Sequence, residues 1–245
     1  MGNELLIVDQ GAQRLYRFDL GRMALTPWPL VAVGPGMRVA LARDGSAWVL
    51  DPASARLVRF APDGRVLLTL RDPNLFPSPI DFGLRVARAE VVLLDATLGH
   101  WVTVRYGAGP GLAIASRGPW ADVPAAPRAL AVGSERLCVG VAAAPSLVCL
   151  PDGARTGGAQ WQVLADDIAV RPGTMVLDRH GRLFVADDRG ATLHVYSGAE
   201  PVARIAYATL GLTSIAGMAV DGNVLAVADA AAARVALFFI KAPLR

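Results

Sequence analysis

The chain is poor in the residues that most often carry chemistry. Among its 245 residues there are two cysteines and three histidines. Asn3, Asn74 and Asn223 are its asparagines, and Lys241 is its sole lysine. Two cysteines exclude a multi-bridge scaffold and a cysteine-rich zinc site. The net charge is only +3, carried by arginine and without a basic block. That pattern does not suit a nucleic-acid tail and demands no anionic polymer as partner, so nucleic acid is not expected. No apolar run approaches the ~20 residues a helix needs to cross a bilayer. The start, Met1-Gly2-Asn3-Glu4, has no basic segment ahead of an apolar one, so no signal peptide is expected. Both a cytoplasmic location and export without a classical signal remain open. A 3.6-residue apolar period sustained over ten residues is also missing, which argues against a helical solenoid.

What the chain does have is one phrase repeated six times. An apolar run ends in Asp, four small or polar residues follow, and a second apolar run starts, usually at Arg. The anchors are Asp9, Asp51, Asp95, Val141, Asp187 and Asp229, at intervals of 42, 44, 46, 46 and 42 residues. The matching starts are Arg14, Arg56, His100, Ser146, Thr192 and Arg234, each five positions on. Residues 36–70 show the whole unit. Apolar runs lie at Val39–Leu41, Ala47–Leu50, Leu57–Phe60 and Val66–Leu70, separated by Asp44-Gly45, Pro52–Ala55 and Pro62-Asp63-Gly64. Four short runs joined by turn residues form an antiparallel meander. Such a sheet has two apolar faces and buries neither alone. Six stacked in a ring bury both and leave only short edges. The expectation is an all-β, six-bladed β-propeller of four-stranded antiparallel blades. It occupies 1–245 as a single domain, with blades near 1–33, 34–71, 81–117, 126–165, 172–209 and 214–245. The terminal blades are incomplete: the first lacks an innermost strand and the last an outermost one.

The unit Gly217-Met218-Ala219-Val220-Asp221 through Arg234-Val235, and its near copy from Gly173 to Thr192, resembles the NHL repeat. The likeness runs through most of the chain, with the third and fourth units drifting. It implies a propeller, and for function it implies several things, because NHL-like propellers include RNA binders, sensors, scaffolds and some enzymes.

A residue used in most repeats builds the repeat. Asp9, Asp51, Asp95, Asp187, Asp229, Arg14, Arg56 and Arg234 are therefore read as structural, the Asp accepting backbone N–H bonds and the Arg pairing with it. His100, His180 and His194 hold three different places in the unit, so the converging histidines of a zinc-dependent propeller lyase are not expected. The Glu, Asn and Asp set of a calcium-dependent lactonase is missing from inner strands as well. No catalytic residue, metal or cofactor is expected.

One column does not repeat. Aligning Gly36-Met37-Arg38, Gly83-Leu84-Arg85 and Ala126-Pro127-Arg128 puts Arg38, Arg85 and Arg128 at the start of three inner strands, as a receptor for an anion or acidic partner, or as loop ties to Asp72, Asp81 or Asp122. The loops at 72–80 and 118–124 are long and rich in Pro. Leu75, Phe76 and Trp120 there suit either interface anchors or covers for the blade ends. Cys138 and Cys149 come directly opposite across a four-residue loop at 142–145, since 141 + 146 equals 138 + 149. A disulfide, pointing to an oxidising compartment, and two buried thiols both fit.

The reading assembled from these residues is a non-catalytic platform for protein–protein interaction. It would belong to a larger bacterial assembly, with a partner protein at the terminal strands or the inter-blade loop face. The alternatives are a metal-dependent propeller hydrolase or lyase with an axial site, and an RNA-binding NHL domain.

Overall fold

The computed structural model describes residues 4–29, 33–97, 99–106, 113–119, 126–134, 136–142, 146–151, 162–164 and 170–241. They form two compact units, Met1–Arg117 and Gly118–Arg245.

The first unit opens with a three-stranded sheet: β1 (Glu4–Asp9), β2 (Arg14–Asp19) and β3 (Ala24–Pro27). A four-stranded sheet follows: β4 (Arg38–Leu41), β5 (Ala47–Asp51), β6 (Arg56–Phe60) and β7 (Val66–Leu70). The third sheet orders β8 (Pro79–Arg85), β9 (Glu90–Asp95), β10 (His100–Arg105) and β11 (Ala113–Pro119). In the second unit the fourth sheet holds β12 (Pro127–Val132), β13 (Arg136–Val141), β14 (Leu147–Pro151) and β15 (Gln162–Val163). The fifth holds β16 (Pro172–Leu177), β17 (Arg182–Asp187), β18 (Thr192–Ser197) and β19 (Glu200–Ala206). The last has three strands: β20 (Gly217–Asp221), β21 (Val224–Asp229) and β22 (Arg234–Phe239). The fold is all-β, in six small antiparallel sheets.

Period-two alternation explains how each middle strand works. In β5, Trp48 and Leu50 pack toward the third sheet with Phe76, Phe82 and Leu93. Ala47 and Val49 pack the other way, with Leu15, Trp28 and Val33. In β17, Leu183 and Val185 meet Cys138, Leu147 and Met175, while Phe184 and Ala186 meet Leu225 and Val227. Both faces of the middle strands are thus core, and each buried Leu or Val contributes about 1.5–3 kcal/mol. The outermost β7 and β19 are mostly exposed. The turns do what their residues favour. Asp44 Oδ1 accepts the Ser46 N–H at 2.9 Å, and Gly45 supplies the left-handed φ of +77°.

The repeated aspartate ends its strand opposite the first residue of the next. The pairs are Asp9↔Arg14, Asp51↔Arg56, Asp95↔His100, Asp187↔Thr192 and Asp229↔Arg234. The residue just before that partner has positive φ in each of these hairpins: Gln13, Ala55, Gly99, Ala191 and Ala233.

One expected alignment needs correction. The inner strand of the third sheet starts at Pro79, inside the segment read as a loop, and Arg85 is its last residue, facing Glu90 across the β8–β9 turn. Arg38 is the first residue of β4, at the end away from the β4–β5 turn. Arg38 and Arg85 therefore occupy opposite ends of their strands.

Candidate functional site

Three of the repeated aspartates fasten the chain where inner strands begin, while Asp9 and Asp51 accept, among the described residues, only from their own turns, from Ala12 and from Ala53 and Ser54. Asp95 Oδ2 accepts the Ser78 N–H at 2.7 Å, and Asp187 Oδ1 accepts the Arg171 N–H at 3.0 Å. Asp229 accepts the N–H groups of Thr213 and Ser214 at 3.0 and 2.9 Å. Three inner strands then start alike, with a proline opposite the anchor: Pro79↔Asp95, Pro127↔Val141 and Pro172↔Asp187. Proline lacks an N–H and suits the first position of a strand. A register shift follows each proline, leaving Ile80, Arg128 and Gly173 at the irregular position. The residue after the anchor donates its N–H to the residue before the proline: Ala96 to Ser78, Ala142 to Ala126, and Asp188 to Arg171.

This frame gives a better alignment than the sequence alone allowed, and it isolates three charges that break the repeat. At the irregular position, Arg128 stands where other sheets carry Ile80 and Gly173. Before the proline, Arg171 stands where others carry Ser78 and Ala126. After the anchor, Asp188 stands where others carry Ala96 and Ala142. All three lie at one end of β12 and β16 in the second unit. The signal is a charge occurring once in a column that is elsewhere small or apolar, and it is visible only once the strand pairing sets the columns.

The geometry binds them together. The Asp188 carboxylate lies across Gly173, where even a Cβ would overlap it. Its proton affinity is raised, first by burial against this surface and then by Asp187, while Arg128 and Arg171 oppose the rise. Arg128 is half-buried, and its Nε is fully buried without a hydrogen-bond partner. Behind them, His194 Nε2 sits 3.7 Å from Asp187 Oδ2, and burial holds its ring below the ordinary histidine range. The Tyr207 hydroxyl donates to the Asp187 carbonyl at 3.2 Å.

The other residues singled out from sequence have different surroundings. Arg38 Nε lies 3.8 Å from Asp81 Oδ1, a tie between neighbouring inner strands. Arg85 lies 3.9 Å from the buried Glu90, which also accepts from Arg105. Phe76 is 0% exposed, at the heart of the core between the second and third sheets. It cannot anchor a partner. Leu75 packs partly buried beside it, and its carbonyl is 2.8 Å from His100 Nε2. This loop folds back because its apolar tip is worth more in the core than in water. Trp120 lies outside the described residues. Cys138 and Cys149 face each other in β13 and β14 and are joined as a disulfide.

A divalent cation does not fit the end of β12 and β16. Among the described residues no three His, Cys, Asp or Glu side chains converge, and Asp188 stands among guanidiniums that repel a cation.

No protein-family model and no curated protein sequence matches the chain, so NHL-repeat membership is not shown. Likeness to solved structures is extensive. A structure of a nidogen–laminin complex gives a TM-score of 0.71 at 16% identity, over 97% of this chain and 89% of that chain. Virginiamycin B lyase from Staphylococcus aureus gives 0.65 at 12% identity, over 98% and 81%. A gluconolactonase from Xanthomonas campestris gives 0.68 at 15% identity, over 93% and 80%. These are β-propellers, and the fold of this chain is a β-propeller. At such identity the likeness carries the fold alone. It still overturns the expected non-catalytic platform and assembly scaffold, because enzymes stand among the structures that match nearly the whole chain. Propellers of this kind also occur in complexes with other proteins. Among the described residues no helix is long and apolar enough to cross a membrane.

Proposed function

We propose that this chain is a propeller hydrolase that opens a small cyclic ester, with its centre where β12 and β16 begin and Asp188 as general base. One observation carries the reading. Asp188 is a carboxylate of raised proton affinity, set over Gly173 within electrostatic reach of Arg128 and Arg171, at a position the repeat does not require. Higher proton affinity makes a carboxylate a better proton acceptor in the transition state. The enzymes among the similar folds, a lyase and a gluconolactonase, support this class of chemistry.

Asp188 takes a proton from water as the water oxygen bonds to the ester carbonyl carbon. The carbonyl oxygen becomes an oxyanion, which a guanidinium of Arg128 or Arg171 stabilises. The tetrahedral centre collapses, the ring C–O bond breaks, and the leaving oxygen recovers the proton from Asp188. Water and lactone give a hydroxy acid, and Asp188 ends as it began. Asp187 holds the strand end on which Asp188 sits, through the N–H groups of Arg171 and Arg189. No step needs a metal.

The test is hydrolysis of gluconolactone and a panel of related lactones, followed by acid release above the spontaneous rate. Asp188→Asn keeps the shape and removes the base. A fall of about 100- to 10,000-fold in kcat, with the fold intact, is the expected result. An unchanged rate in that variant, or a panel untouched by the wild type, overturns the proposal.

A further inference from the structure

The structure assigns a ligand class to the two arginines: we infer that Arg128 and Arg171 make this end of β12 and β16 a receptor for a small-molecule carboxylate. The inference uses the centre described above for the word substrate only, and the anion site stands on its own observations.

The first is that neither arginine is needed by the repeat. Several other arginines are answered by a carboxylate: Arg234 by Asp229 at 3.3 Å, Arg59 by Asp44 at 2.6 Å, and Arg182 by Asp178 at 2.6 Å. Among the described residues, Arg128 and Arg171 form no ion pair within 4 Å and no side-chain hydrogen bond. A buried N–H on a charged group without an acceptor is costly, and Arg128 Nε is in that state. A ligand oxygen would relieve it.

The second is placement. A register irregularity re-aims the side chain it carries, and Arg128 occupies one at the strand start. Arg171 is held by its backbone from both sides. Its N–H goes to Asp187 Oδ1 and its carbonyl accepts the Asp188 N–H, both at 3.0 Å. The fixed backbone sets the root of an exposed guanidinium, and its side-chain rotamers are ordered on binding.

The third is the charge balance. Arg128 and Arg171 lie within electrostatic reach of Asp188, and so does Asp187. Asp187 accepts the backbone N–H groups of Arg171 and Arg189, which are neutral and leave its charge in the sum. Two guanidiniums against two carboxylates suit a monoanion better than a phosphate dianion, whose second charge adds repulsion from Asp188. Bidentate guanidinium geometry matches a carboxylate directly. The substrate of this centre is then a lactone or ester bearing a free carboxylate.

The experiment titrates the full chain with D-gluconate, inorganic phosphate and D-glucose by calorimetry or ligand-observed NMR. Gluconate should bind more tightly than phosphate, and glucose should not bind. Arg128→Gln and Arg171→Gln should each weaken gluconate about tenfold, with unchanged melting temperatures and with partial recovery in Arg128→Lys. Gluconate binding that is absent, or indifferent to both substitutions, overturns the site. Tighter phosphate binding overturns the choice of carboxylate. A kinetic arm compares glucarolactone, which bears a free carboxylate, with gluconolactone, which does not. Arg128→Gln should lower kcat/KM for the first about tenfold more than for the second. Equal kcat/KM for both lactones removes the substrate assignment and leaves the role of Asp188 standing. Gluconate binding without any lactone opening removes the hydrolase reading and supports the receptor.

Discussion

The backbone N–H of Arg171 donates to the carboxylate of Asp187 at 3.0 Å, across sixteen residues of chain. Ser78 makes the same bond to Asp95, and Thr213 makes it to Asp229. One side chain therefore fastens the end of a middle strand to the start of the inner strand beside it. That explains why the aspartate recurs while its neighbours vary. An Asp near a turn can accept several orphan N–H groups at once, which few residues can do.

Asp229 gives this clamp a pH signature. The N–H groups of Thr213 and Ser214, together with the Ser214 hydroxyl and Arg234, hold its carboxyl down to about 2. A depressed carboxyl contributes its full stability above its ordinary value of 3.8 and loses it as pH falls toward 2. Asp229→Asn should melt at a lower temperature than wild type at pH 7. The gap should shrink between pH 4 and 2. Calorimetry over that range checks it, and a gap independent of pH would show that the carboxylate charge is not what matters.

His194 should act in a different window. It is buried beside Asp187, with Arg204 also within electrostatic reach, and burial lowers its proton affinity despite the carboxylate. A folded histidine that resists protonation is most stabilising above its unfolded value of 6.5. Its contribution is lost as pH falls from there toward the folded value. Wild-type melting temperature should drop between pH 7.5 and 5. His194→Gln should flatten that slope, and an identical slope in both proteins contradicts the assignment.

Much of this architecture was legible because repetition averages out local ambiguity. A single apolar run such as Leu57–Phe60 says little, but six at near-fixed intervals, five of them after an Asp and a short turn, leave few folds open. What was not legible was register. Proline and a one-residue irregularity hide the start of β8, so the run Gly83-Leu84-Arg85 looked like a beginning when it is an end. The burial of Phe76 was equally hidden, since an apolar loop tip reads the same whether it points outward or folds into the core. Arg128, Arg171 and Asp188 come from three distant stretches of sequence. Only the strand pairing brings their columns into view.

Phe76 offers the plainest test of the corrected loop. It is fully buried among Trp48, Phe82 and Leu93. Phe76→Ala should destabilise the protein by about 3–5 kcal/mol, from lost burial and the cavity left behind. Phe76→Leu should lose less, and urea denaturation distinguishes the two. A loss below about 1 kcal/mol for Phe76→Ala would mean that the loop carries its tip outside the core.

The disulfide should be silent to reductant in the folded protein. Both cysteines are 0% exposed, and the bond joins adjacent strands inside the core between the fourth and fifth sheets. Thiol titration should find no reactive group under native conditions, and two after reduction in denaturant. Cys138→Ala with Cys149→Ala should lower stability by about 2–3 kcal/mol, the range for a loop this short. Two reactive thiols in the native, unreduced protein would exclude the bond.

Four alanines, Ala55, Ala89, Ala191 and Ala233, occupy a backbone conformation that suits glycine, and three of them sit in the repeated hairpin. Ala55, Ala191 and Ala233 have φ of 48°, 45° and 49°, each one residue before the strand that the repeated aspartate faces. The third sheet has Gly99 at the same place, with φ of 57°. An L-residue with a Cβ is strained there by roughly 1–2 kcal/mol, while glycine is not. Glycine also loses more freedom on folding, by roughly 0.5–1 kcal/mol, so the two effects partly cancel. Ala55→Gly, Ala191→Gly and Ala233→Gly should each stabilise by about 0.5 kcal/mol. The sites lie in separate hairpins with no shared partner, so the gains should add. A triple variant that melts below wild type would mean that the Cβ atoms make contacts outweighing the strain. Glycine at Gly99 would then be a local accident, not the residue this turn prefers.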